Sequence, residues 1–266
     1  MDEEYDFRAQ RLYLADDLAE GGVLEVSREQ ANYLVNVLRL ADGAVVHVFN
    51  GRDGEWRGRV VRRGRRDVVL ELSGRTRAQA GGPDLHYLFA PLKRARLDYM
   101  VQKATELGVA RLVPVITRHT IAERVNLERM RANVIEAAEQ CGILRVPQVA
   151  EPVSLKRALD GWDESRSLIF CDEAAPVRDP IAALRAIVPG PLAVLIGPEG
   201  GFAADERAML TGLPYCHRLP LGPRIMRADT AAVAALTLAN AVLGDWRDGR
   251  PTTGCGAGHD ATDELN

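Results

Sequence analysis

Short apolar runs broken by polar and turn residues fill the stretch from about Arg11 to Arg77. RLYLADDL predicts a short strand and a turn, and VLEV a second strand. A helix from about Glu29 to Leu38 is expected next, with Ser27 as its cap and Asp42-Gly43 as the turn that ends the unit. AVVHVFNG alternates weakly and closes on Asn50-Gly51, a hairpin signal. EWRGRVV and DVVLEL follow, with Gly64 between them. The pattern is that of a small barrel of short strands.

After the AQAGGPD stretch the rhythm changes to alternating strands and helices. LHYLFAPL reads as a strand. In RARLDYMVQKATELG, Leu97, Met100, Val101, Ala104 and Leu107 recur at helical spacing, and Gly108 is placed to end the helix. RLVPVIT is a strand, and NLERMRANVIEAAEQCG is a helix capped by Asn126 and stopped by Gly142. SLIFCDE, PLAVLIG and HRLPLG are apolar strand-like runs, while DERAMLTGL and TAAVAALTLANAVLG are helical. Such alternation argues for a parallel sheet covered on both faces. The division expected is a β unit over 8–78, a linker over 79–84, an α/β unit over 85–246 and a disordered tail over 247–266.

Composition narrows the classes. The chain has 266 residues, 47% of them hydrophobic and 27% charged, which suits a globular protein with a real core. Lys and Arg total 34 against 37 Asp and Glu, so the net charge is −3, and any nucleic-acid surface must come from local clustering. No apolar run approaches the roughly 20 residues of a membrane helix, and the acidic MDEEYDFRAQ is no signal peptide. The four cysteines are far apart and form no CxxC pair; three of them sit in apolar settings and read as core residues. Reducing cytoplasm is the expected compartment. The five histidines have no ligand spacing, so no metal is expected.

Two loops carry the chemistry. In LAVLIGPEGGF an apolar strand runs into Gly197-Pro198-Glu199-Gly200-Gly201 and then a helix. Ligands bind outside the carboxyl ends of such strands, and glycines let the backbone approach them closely. The loop has neither dinucleotide-binding spacing nor P-loop Lys-Ser/Thr, so phosphate cradling is not implied; a plain tight turn is the bland alternative. In RLPLGPRIMRADTAAVAAL, Arg224 and Arg227 flank Ile225-Met226, and Asp229 or Thr230 is placed to cap a small-residue helix starting near Thr230.

Together, LIGPEGGF with Glu206 beyond it and LGPRIMRADTA resemble the SPOUT class of methyltransferases. The closer likeness is to the RsmE family, which methylates N3 of a uridine in 16S ribosomal RNA. KATELGV, EAAEQCGILRVPQV, YLVNVLRLADG and VFNGRDGEWRGRV extend the resemblance over residues from about 8 to 245. It implies an α/β fold: a SPOUT-type parallel sheet with a deep trefoil knot, preceded by a small PUA-like β-barrel. It also implies S-adenosylmethionine (SAM) as cofactor, a homodimer, and 16S ribosomal RNA or the small ribosomal subunit as partner. On the first loop the cofactor would be held by Ile196, Gly197, Pro198, Glu199, Gly200 and Gly201. On the second it would be held by Leu219, Leu221, Gly222, Ile225, Met226, Arg227, Thr230 and Ala231. The usual ILRTETA reads IMRADTA here: Met226 conserves volume, and Asp229 shortens the carboxylate by one methylene.

Methyl transfer from a sulfonium is an in-line displacement that needs alignment, and N3–H of uracil must lose its proton. Arg227 is the first choice for a cation near the developing anion. Glu199 is a base or cofactor contact, and equally a brace of its turn. Arg62, Arg63, Arg65 and Arg66 would make a hairpin tip that contacts phosphate, with Arg8, Arg11, Arg94, Arg96 and Arg224 extending the patch; a merely solvated hairpin is the alternative. Lys103 and Glu106 are spaced as a surface pair, with Gln102 and Lys103 bordering the site as the alternative, and Gln140 and Arg145 could frame a cleft. Methylation of another position, such as a ribose 2′-hydroxyl, and an RNA-binding protein without catalysis remain the competing functions.

Overall fold

The structure is a computed structural model and describes residues 10–64, 67–122, 124–176 and 178–248. Arg8, Arg65, Arg66 and residues 249–266 of the expected tail lie outside the described residues; Arg247 and Asp248 instead complete a short 3-10 turn, Asp245–Asp248.

The first unit is a five-stranded sheet in the order β1 (Arg11–Tyr13), β3 (Val45–Phe49), β4 (Glu55–Arg62), β5 (Val68–Arg77), β2 (Val23–Glu25). Only the β1–β3 pair is parallel. The sheet curls around Leu12, Leu24, Val46, Val48, Val60, Leu70 and Leu72. Register shifts between Glu55 and Trp56 and between Arg57 and Gly58 supply the bend. Gly58 allows it, since a Cβ there would stand 2.9 Å from a Val48 methyl. The expected helix is α1 (Arg28–Asn32), which continues as a π-turn through Val37. Ser27 caps it in a reciprocal capping box with Gln30.

The second unit is a seven-stranded sheet. Its main path runs β12 (Cys216–Leu219), β10 (Ser167–Cys171), β11 (Leu192–Ile196), β6 (Leu85–Phe89), β7 (Arg111–Ile116), β8 (Gln148–Val149). Every pairing is parallel, and β9 (Val153–Ser154) joins β7. Alternate residues face alternate sides. Tyr87, Phe89, Leu112, Val194 and Ile196 pack with α2 (Arg94–Glu106), α3 (Leu127–Cys141), α5 (Pro180–Arg185) and α7 (Ala228–Val242). Leu88, Val115, Leu168, Phe170 and Leu195 pack with α4 (Leu155–Leu159) and α6 (Ala204–Thr211). Helices on both faces explain why these strands are near-continuously apolar. Asn126 caps α3 and Gly142, at φ 64°, ends it, as the pattern predicts.

Three details differ from expectation. α7 begins at Ala228 with Arg227 in the N-cap position, so neither Asp229 nor Thr230 is the cap. Cys141 is exposed at the end of α3; Cys171 and Cys216 pack partly buried against the two clusters, and burial pushes the Cys216 thiol up to about 12. α4, α5, β8 and β9 were not foreseen.

The 79–84 stretch has no regular structure but is pinned. Arg145 Nη1 donates to the carbonyls of Gly82 and Pro83 at 2.8 and 3.0 Å, and Gln79 Nε2 donates to Leu144 O. Phe49, Ala138 and Leu144 bury against one another beside Tyr13 and Ile143. Tyr13 N donates to Glu139 Oε1 at 2.8 Å. Burial pushes the Glu139 carboxyl up, and this hydrogen bond partly opposes it.

Candidate active site

Because all strands of the second sheet run the same way, the turns after β6, β7, β10, β11 and β12 leave from one edge. β10 lies between β11 and β12, so the two loops singled out in the sequence emerge two strand spacings apart, about 10 Å. Ile196 and Leu219, the last residues of β11 and β12, are buried and anchor them.

The first loop is tight. Gly197 backs onto Phe202, whose ring would lie 2.5 Å from a Cβ at this position. Gly201 takes φ 69°, and its N–H donates to Pro198 O at 2.9 Å. Three residues from elsewhere hold the loop and the start of α6 behind it. Arg96 of α2 donates to Glu199. His119 Nδ1 lies 3.1 Å from Gly201 O. Arg118 donates from its backbone to Glu206 Oε1 at 2.9 Å and from its side chain to Asp205 at 2.6 Å. Glu206 also accepts from Ala203 N, which fixes the start of α6. Arg96, Arg118 and His119 as tethers were missed in the sequence, where their partners lie 82 to 103 positions away.

The second loop is open. Gly222 takes φ 93°, and a Cβ there would meet nothing within 4 Å. Arg224 and Arg227 are exposed, and Ile225 is 95% exposed. Leu221 and Met226 are partly covered; Ala231 is buried in the first turn of α7 and Thr230 is exposed beside it. Between the two loops, Asp172 follows β10 and is 6% exposed. It accepts from Arg218 Nε at 2.6 Å, from Arg207 Nη2 at 3.1 Å and from Ala174 N, while its own N–H donates to Leu219 O. Burial pushes its carboxyl up, but the Arg207, Ala174 and Arg218 hydrogen bonds outweigh that and hold it below the usual range. Open glycine backbone at Gly201 and Gly222 beside exposed apolar Ile225 suits a ligand that is part polar and part apolar.

The profile of the RNA methyltransferase domain matches residues 81–240, and that of the RNA methyltransferase PUA domain matches residues 26–73. The chain belongs to the RNA methyltransferase family. Among its relatives, the ribosomal RNA small subunit methyltransferase E of Rickettsia conorii is 28% identical over 228 residues, 85% of this chain and 93% of the relative. The enzyme of that name from Mycobacterium tuberculosis is 27% identical over 246 residues, 88% of this chain and 93% of the relative. A Neisseria gonorrhoeae ribosomal RNA small subunit methyltransferase E, solved bound to SAM, superposes with TM-score 0.76 at 26% identity, covering 90% of this chain and all of that one. A Legionella pneumophila protein solved with bound SAM gives 0.79 at 29% identity, covering 90% and 99%. These relatives bear out the expected α/β class, with a parallel methyltransferase sheet preceded by a PUA unit.

As a member of this family the chain has an RNA to bind, and its arginines divide sharply. Arg11 corrects an expectation: its side chain is 11% exposed and bonds the fully buried Glu55, which also accepts from Arg77 at 2.5 and 2.9 Å, so Arg11 serves the barrel interior. Arg62 is exposed, but its guanidinium donates to Leu40 O and its N–H to Asp42. Arg63 is exposed at the β4–β5 tip, as are Arg94 at the start of α2 and Arg224. Lys103 and Glu106 form the surface pair at 2.7 Å. Gln140 reaches Glu136, and Arg145 clamps the linker. Among the described residues no helix is long and apolar enough to cross a membrane, and no cluster of His, Cys, Asp or Glu could hold a metal ion.

Proposed function

We propose that the chain methylates N3 of a uridine in 16S ribosomal RNA, with SAM bound between the loops that follow β11 and β12. The observation that carries this reading is the placement of those loops on either side of β10 at the carboxyl edge of the sheet. It is supported by relatives that are named for the small ribosomal subunit and solved with SAM. We further take 8–78 as the RNA-binding PUA-like unit, 79–84 as the connection and 85–246 as the SPOUT unit with its knot. The protein is read as a cytoplasmic homodimer.

Bound SAM supplies an electrophilic methyl group. The chain's own residues orient and neutralise. Ile196 and Leu219 fix the loop roots, and the backbone of Gly197–Gly201 and Leu221–Arg227 lines the cofactor. Arg227, in the N-cap position of α7, adds its cation to the positive end of that helix and stabilises the uracil anion that forms as N3 gives up its proton to solvent water. Of the two roles open to Glu199, the contact with Arg96 favours the brace. Arg63 and Arg224 contact phosphate.

The test is methyl transfer from labelled SAM to small subunits lacking the modification, followed by nucleoside analysis. New 3-methyluridine, absent with Arg227→Ala although S-adenosylhomocysteine (SAH) still binds, is expected. Label in a ribose, or none in RNA, overturns the reading.

A further inference from the structure

At the opposite end of the second sheet, a cavity of about 440 Å³ opens in the seam with the first unit. Arg111, the first residue of β7, pairs in register with Gln148 of β8, so this is the amino edge of the strands, remote from the cofactor loops. Val134 of α3 and Pro147 form a buried apolar floor, Val149 a half-buried side, and Tyr13 of the first unit an aromatic wall. Arg111 and Arg131 stand exposed on the rim. Arg111 has no side-chain partner among the described residues. Arg131 meets Glu151 only at 3.9 Å, with 51% and 76% of the two side chains exposed, a contact that a phosphate can replace. Glu139 of α3 accepts from Tyr13 N at 2.8 Å.

A slot of this volume with an apolar floor, an aromatic wall and two rim guanidiniums has the chemistry of a nucleotide site. We propose that it is a second RNA contact, which takes one nucleotide of the substrate at a distance from the target uridine. The base enters the slot, and its flanking phosphates lie on Arg111 and Arg131. The inference rests on the reading of the substrate as RNA. Two anchors at opposite edges of the sheet then set the path of the RNA across the seam, which neither the cofactor loops nor the barrel arginines do alone.

The experiment compares the whole protein with Arg111→Ala/Arg131→Ala and with a control, Arg157→Ala/Arg185→Ala, which removes the same charge from exposed positions elsewhere. Affinity for a 16S RNA transcript is measured at several salt concentrations, apart from turnover. The rim variant is expected to bind about tenfold more weakly at 0.1 M salt, with a log–log salt slope smaller by about 1.4–1.8, the value for two lost phosphate contacts. Its kcat on saturating small subunits and its SAH affinity stay unchanged while KM rises. Val149→Trp, which fills the slot and keeps both arginines, should raise KM in the same way. Equal RNA affinity for the rim variant and the control overturns the proposal. So does a site that binds free mononucleotides through Arg111 while RNA binding is unaffected by either variant. If the rim variant loses RNA affinity but the wild type makes no 3-methyluridine, the second contact stands and the proposed reaction falls.

Discussion

Gly197→Ala tests whether the first loop is shaped by packing from behind. The added methyl would lie 2.5, 3.0 and 3.1 Å from the Cε2, Cδ2 and Cζ atoms of Phe202, whereas relaxed carbon contacts need about 3.5–4.0 Å. The ring must therefore retreat by about 1 Å. It cannot do so freely, because Phe202 packs edge-on to Phe170 with centroids 5.2 Å apart and an interplanar angle of 87°. That aromatic pair is worth about 0.5–1.5 kcal/mol, and overpacking of this kind costs about 1–3 kcal/mol in total. If the cost falls on the liganded loop, SAH binding weakens about 5- to 150-fold, at 1.4 kcal/mol per factor of ten. If it falls on the fold, Tm drops by about 2–4 °C per kcal/mol. Isothermal calorimetry with SAH and thermal melts divide the two. Phe202→Ala removes the obstruction, so Gly197→Ala should cost at least about 1 kcal/mol less in that background. SAH affinity within about twofold of wild type together with an unchanged Tm would refute the reasoning, as would strictly additive effects.

Glu199→Gln removes a partly exposed ion pair, so stability should change by less than about 1 kcal/mol. As a brace it should cost less than about tenfold in kcat; a loss of two orders of magnitude with SAH binding intact would make Glu199 the base instead. Asp172→Asn leaves Arg207 and Arg218 without their carboxylate and should cost about 2–3 kcal/mol in urea denaturation at pH 7. The folded carboxyl titrates below its unfolded value of 3.8, so its contribution is present above about pH 4 and is lost as pH falls through the folded value. The gap between wild type and Asp172→Asn should therefore narrow as the pH falls below about 4, and a gap that does not narrow in acid counts against this role.

What could be read in the sequence was what is local. Ser27 with Gln30, and Asn126 with Gly142, act on backbone within one turn, and the structure keeps both helix ends where the pattern puts them. The two loops of the site are each contiguous, so their residues are grouped before any folding is known. Arg11 was misread because an arginine count does not distinguish a solvated side chain from one buried against a glutamate 44 positions on. The tethers on the first loop were missed for the same reason. β8 and β9, two residues each, are too short to show a period. α4 and α5, five and six residues long, show none either; their packing holds them, not their propensity.

The place of β11 in the sheet also sets a timetable for synthesis. β6, β7 and β8 can pair with one another as soon as they emerge, but β10 has no neighbours except β11 and β12. Until Leu192–Ile196 leaves the ribosome, β10 is a lone unpaired strand beside an unfinished sheet, with apolar faces in water. Asn240, fully buried in α7, donates to the carbonyl of Leu107 at 2.7 Å and so finishes the end of α2 from 133 residues away. Closing contacts of such long range is slow, and the nascent chain must be kept from aggregation meanwhile. The strand that joins β10 to the rest of the sheet is the one that carries the glycine loop, so a polypeptide released before it has neither a joined sheet nor any part of the cofactor site.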